Sequence, residues 1–258
     1  MRLMKRILSA AAVLALSASL LVGCSSGTAS SVPVSASSAA ESTVSSVEET
    51  ASSAVDENEA AAAQLLNDLT GSYQELWPVI LADEYKQTWL DDCTALVGED
   101  NAEAAFEKLS SMVTSDVYGE DAVEAYANGG GAYFCGFTND LATLTFDGAT
   151  STISGTDKDG NVLFSHTYHY IGMEPVHGLY EFESDDADSG EFTYFFLAPD
   201  TSAETYHIEF RYGSDAEALS QYDAGEYAYW VASGISTDCD QTMIDNCIEL
   251  FCTENLAG

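Results

Sequence analysis

The chain has 258 residues, of which 43 are Asp or Glu and seven are Lys or Arg, giving a formal net charge of −36. Such a surface repels phosphate backbones and excludes nucleic acid as a partner, while it gathers cations without selecting among them. An apolar share of 46% with 11% aromatics excludes a wholly disordered chain and leaves material for a sizeable core.

Arg2, Lys5 and Arg6 stand before an apolar run over residues 7–22, which ends in Leu21-Val22-Gly23-Cys24. A basic start, a short apolar stretch and small residues before a cysteine predict a secretory signal over residues 1–23. Its end resembles a bacterial lipobox, so Cys24 is the expected lipidation site and the new N-terminus. The expected location is outside the cytoplasm, anchored to the bacterial membrane, since two or three acyl chains hold far more firmly than one. Residues 24–57 are rich in Ser and Ala and lack both hydrophobic periods, which predicts a disordered tether. Residues 58–258 are then the folded domain.

Within that domain residues 59–69 read as a helix that stops at Gly71, and residues 101–113 as a second helix behind an Asn101 cap. From residue 132 the pattern changes to short runs rich in Phe, Tyr, Val and Thr. They cover residues 132–137, 141–147, 151–155, 162–171, 179–183, 191–198 and 206–212, with turn clusters between them. Successive short strands with tight turns predict a mainly β, antiparallel barrel or sandwich. A closing helix is expected after Thr237 and Asp240, which are spaced like a capping box, with Met243, Ile244, Cys247, Ile248 and Phe251 on one face.

The catalytic motifs are missing. No Ser-centred elbow, phosphate-cradling glycine loop or His-Glu-x-x-His pair occurs, and the chain is not expected to be an enzyme. Asp157-Lys158-Asp159-Gly160-Asn161 lacks the ligand spacing of a calcium loop and reads as a hairpin turn. After Cys24 five cysteines remain, an odd number, which allows at most two internal disulfides. Cys247 and Cys252 are badly placed to bond each other. The five read as buried small hydrophobes, with at most one bridge to Cys239 or between Cys93 and Cys135.

Among the four His, His207 stands out because Glu209 lies two residues on in a strand, where both side chains project from one face. Zinc accepts such nitrogen and oxygen donors. His166 and His169, three apart, face opposite sides and cannot share an ion. His166 falls in an aromatic strand, and His177, beside Gly178, reads as a surface residue.

Residues 66–80, Leu-Asn-Asp-Leu-Thr-Gly-Ser-Tyr-Gln-Glu-Leu-Trp-Pro-Val-Ile, resemble the opening of ZinT/YodA-family domains. So do Gly178-Leu179-Tyr180-Glu181-Phe182-Glu183, the run over residues 192–199, and His207–Gly213 with Ser214-Asp215, Tyr227–Trp230 and Ile235-Ser236-Thr237. The resemblance covers about 200 residues. It implies a calycin, lipocalin-like barrel with flanking N-terminal and C-terminal helices, exported, that binds zinc and related divalent ions and hands them to uptake machinery.

The family's metal site uses three His. His207 falls on one of them, Glu209 replaces the second and Phe195 stands at the third; a register with an extra gap sets Thr205 and His207 against the pair instead. A further donor is sought in His166, Glu204 or Tyr194. Two functions remain open: a tethered protein that binds divalent metal, zinc first, at His207 and Glu209, or a lipocalin-like lipoprotein that has lost the ion and binds an apolar molecule or a protein partner.

Overall fold

The structure, a computed structural model, describes residues 57–257. The predicted signal segment, Cys24 and the tether up to residue 56 lie outside the described residues.

Eight antiparallel strands close into a barrel in sequence order, the fold class expected. They are β1 (Gly71–Glu75), β2 (Thr143–Asp147), β3 (Thr152–Thr156), β4 (Val162–Met173), β5 (Tyr180–Ser184), β6 (Tyr194–Leu197), β7 (Ile208–Gly213) and β8 (Ala232–Ser236). Pairing of β1 with both β2 and β8 makes the closure. Five strands match the predicted runs closely. The predicted strand over residues 191–198 is shortened by a 3-10 turn at Gly190–Phe192.

Two barrel strands were not predicted, because their composition hides them. Gly-Ser-Tyr-Gln-Glu of β1 has one large apolar residue, and Ala-Ser-Gly-Ile-Ser of β8 has only Ile235 among small ones. The sheet is tight at Gly234, where a Cβ would stand 3.1 Å from the Ile208 side chain on the neighbouring strand. Conversely, residues 132–137 form no strand. Phe134 makes isolated bridges to Thr114 and Trp230 only.

Alternation along the strands fills the interior with rings. Phe146, Phe182, Phe195, Phe210 and Tyr212 are fully buried there together with Phe164 and Tyr168. Residues 57–68 form helix α1, whose Ala62, Leu65 and Leu66 join that interior cluster with Leu69 just beyond. The β2–β3 turn docks against α1 through Gly148. A Cβ there would meet Asn67 Cα at 2.4 Å and Leu66 O at 2.5 Å, both backbone atoms that cannot swing aside. Gly148→Ala is therefore expected to cost about 2–3 kcal/mol through overpacking. Urea unfolding checks this, and a loss below about 0.5 kcal/mol would show that the turn and α1 are not in contact.

A second apolar cluster lies outside the barrel wall. It joins α2 (Leu76–Ile80), α3 (Lys86–Val97), α4 (Glu99–Ser111) and the last helix, α8 (Gln241–Leu256), around Trp77, Trp89, Leu109, Ile235, Ile248 and Phe251. Between α4 and α8 lie three short helices, α5 (Glu120–Ala127), α6 (Ser202–Thr205) and α7 (Ala216–Leu219). The predicted second helix starts at Glu99 behind Gly98, not behind Asn101. α8 carries the predicted apolar stripe, but Asp240 is itself the cap: its carboxylate accepts from the Met243 N–H at 2.9 Å. α3 escaped prediction because only Trp89 and Cys93, one turn apart, are buried along twelve residues.

All five described cysteines are free thiols, four of them buried, as small hydrophobes would be. No bridge joins Cys93 to Cys135. Cys93 faces Cys252 across the α3–α8 contact, because helix packing and not strand pairing decides its neighbour.

Candidate metal-binding site

β7 places Ile208, Phe210 and Tyr212 inside the barrel, so His207, Glu209 and Arg211 project from its outer surface. The chain enters β7 through a tight reversal. α6 ends at Thr205, Tyr206 takes up the left-handed conformation with φ of 68°, and His207 follows. The Thr205 hydroxyl donates to the His207 carbonyl at 2.8 Å, and the His207 ring folds back so that Nδ1 lies 2.7 Å from the Thr205 carbonyl. A carbonyl can only accept. Nδ1 therefore carries a hydrogen, and Nε2 is the atom left for other chemistry.

Nε2 faces Glu209 Oε1 at 3.7 Å, with the two side chains only 11% and 13% exposed. The expectation that imidazole and carboxylate share a face thus describes the local geometry. At 3.7 Å they are too far apart for a hydrogen bond. Two donors each about 2.1 Å from one tetrahedral ion stand about 3.4 Å apart, close to the spacing found.

Burial on its own would lower the pKa of His207. The Cys247 sulfur, 3.9 Å from Nδ1, and the Glu209 carboxylate outweigh it, and the net effect holds the imidazole well above its ordinary value. These surroundings accordingly favour the protonated imidazole beside Glu209. Cys247 approaches the Nδ1 edge while Glu209 approaches the Nε2 edge, so these three groups cannot converge on one ion.

The other candidate donors lie elsewhere. His166 pairs directly with Ile153 across β3 and β4 and shares its inward face, where it stacks on Phe164. Its Nδ1 is 2.8 Å from Asp186 Oδ2. The barrel wall separates it from His207. Glu204 is exposed on α6. Tyr194, at the start of β6, donates its hydroxyl to Glu183 at 3.2 Å. Phe195 is inside the barrel, directly opposite Tyr212. Among the described residues no three of His, Cys, Asp and Glu gather closely enough to hold a metal. The structure therefore brings together His207 and Glu209 and brings neither His166 nor Glu204 to them.

His177 is not a surface residue. Its ring packs on Tyr222 with centroids 3.7 Å apart, and its side chain is 12% exposed. What sequence reading missed are the roles of Thr205, whose carbonyl fixes the His207 tautomer, and of Cys247, which sits behind the ring. Neither carries a sequence signal, since one acts through its backbone and the other arrives from α8.

No family model matches the chain, and no curated protein sequence does. Among solved structures it is similar to the Zn(II)-bound ZinT-like domain of Streptococcus pneumoniae AdcA. That match has 16% identity and a TM-score of 0.46 over 72% of this chain and 89% of that one. A second similarity is to Zn(II)-bound AdcA from the same organism, at 15% identity and a TM-score of 0.43, over 70% of this chain and 34% of that one.

Proposed function

We propose that this chain is a tethered binding protein, and not an enzyme, that takes up one divalent transition-metal ion, zinc first, between His207 Nε2 and Glu209. One observation carries this reading. Nδ1–H is committed to the Thr205 carbonyl while Nε2 and Oε1 stand 3.7 Å apart and nearly buried. A second-sphere hydrogen bond of this kind orients histidine ligands and raises their basicity. Imidazole with carboxylate suits zinc and its neighbours better than calcium or magnesium, which favour oxygen alone. Water completes the coordination, so binding is weak and exchange is fast, which fits capture and delivery better than storage. Anchoring through Cys24 would hold the site at the membrane, within reach of metal-uptake machinery. The acidic surface would raise the local concentration of cations. The competing reading, an apolar molecule inside the barrel, finds the interior occupied by the protein's own rings.

Because its surroundings favour the protonated imidazole, a metal ion competes with a proton at His207. Affinity should rise with pH until His207 has lost its proton, and fall at lower pH. Zinc calorimetry at neutral pH in two buffers of different ionisation enthalpy should show proton release on binding. His207→Ala should weaken the specific site by at least about tenfold, leaving only the salt-sensitive association of a highly acidic surface. Equal affinities for wild type and His207→Ala, with no proton released, would overturn the reading.

A further inference from the structure

We infer that Cys93 and Cys252 are partners in a disulfide that closes when the chain folds under oxidising conditions. Cys93 lies on α3 and Cys252 on α8. Both are fully buried where these helices pack, and their sulfurs stand 3.9 Å apart. Trp89 and Phe251 pack edge to face beside them with centroids 5.9 Å apart, which fixes the spacing of the two helices. The other three thiols have different surroundings. Cys247 lies behind His207, Cys135 belongs to the edge of the cluster beside Trp77, and Cys239 is half-buried before α8.

A disulfide needs the sulfurs about 2.05 Å apart, which asks each to move by about 1 Å. The oxidant is a second disulfide. Cys93–SH and Cys252–SH react with R–S–S–R to give Cys93–S–S–Cys252 and two R–SH, by way of a mixed disulfide that the second cysteine resolves. The two protons leave with the released thiols.

Burial gives the reaction an order in time. It pushes the Cys252 thiol far above its ordinary pKa and the Cys93 thiol in the same direction. Thiolate is the attacking species, so the folded, reduced protein reacts poorly, and the bond forms while α8 is still docking. Once made, it ties the C-terminal helix to α3 across a loop containing seven of the eight strands. Constraint of so long a loop in the unfolded chain is a source of stability.

The test is to unfold the full chain in reductant and refold it with either oxidised or reduced glutathione. Peptide mapping of the oxidised wild type should give a peptide pair joined through Cys93 and Cys252. Its thermal midpoint should exceed that of the reduced form by on the order of 10 °C. Adding oxidised glutathione after folding should give little cross-link over the same time. Cys93→Ala should abolish the joined pair, and wild-type mapping decides the matter even if that variant folds poorly. Recovery of Cys93 and Cys252 as free thiols after oxidative refolding, or their joining to other cysteines, would overturn the inference.

Discussion

Arg211→Ala should destabilise the protein by about 3–4 kcal/mol through lost hydrogen bonds and a cavity. Arg211 points outward from β7 and is nevertheless 0% exposed. Its guanidinium donates to the carbonyls of Leu219, Gln221 and Tyr227, and lies over the Tyr222 ring with 4.2 Å to the centroid. These partners all belong to the long connection between β7 and β8, so one side chain fastens that whole segment to the wall. Glu174, also 0% exposed, accepts the N–H groups of Val176 and His177 and lies beyond ion-pair distance of the guanidinium. Alanine would leave the three carbonyls without these donors, strip the Tyr222 ring of its cation, and open a cavity. Arg211→Lys keeps the charge but cannot reach three carbonyls at once, and should lose an intermediate amount. Urea unfolding of the three proteins measures the series. A loss below about 1 kcal/mol for alanine would mean that the connection holds itself in place.

Arg211 also shows how far the sequence could be read. A lone arginine between Phe210 and Tyr212 in so acidic a chain is conspicuous afterwards, yet its three acceptors are backbone atoms eight to sixteen residues away and leave no trace in composition. The barrel was legible where strands alternate large apolar and polar residues, as in β2 to β7. It was illegible in β1 and β8, which each carry a single large apolar residue, Tyr73 and Ile235, and so show no alternation. The helix layer divides in the same way. α8 has five buried positions at helical spacing and was read from four of them together with Met243, whereas α3 shows two. At the site, period-two reasoning correctly put His207 and Glu209 on one face. It could not tell which face is the outside of the barrel, and that distinction removes His166 from their company.

The same distinction decides what becomes of Phe195. By resemblance it stands where a metal-binding domain would carry a histidine, which suggests that Phe195→His should restore a third ligand. The structure leads to the opposite expectation. Phe195 is fully buried inside the barrel, in ring contact with Phe164, Tyr168, Phe210 and Tyr212 at centroid distances of 5.9, 5.4, 6.4 and 5.4 Å. His207 and Glu209 occupy the other side of the wall. An imidazole placed among these rings would lose dispersion contacts and leave a nitrogen without a partner, at a cost of about 3–5 kcal/mol. It would remain uncharged, because charging it there is more costly still. Phe195→His should therefore unfold at markedly lower urea than wild type, and below its own unfolding range should bind zinc no more tightly than wild type does. Should it bind zinc tighter, with the gain removed by adding His207→Ala, the two residues would share one site, and the outward placement of His207 and Glu209 would be wrong.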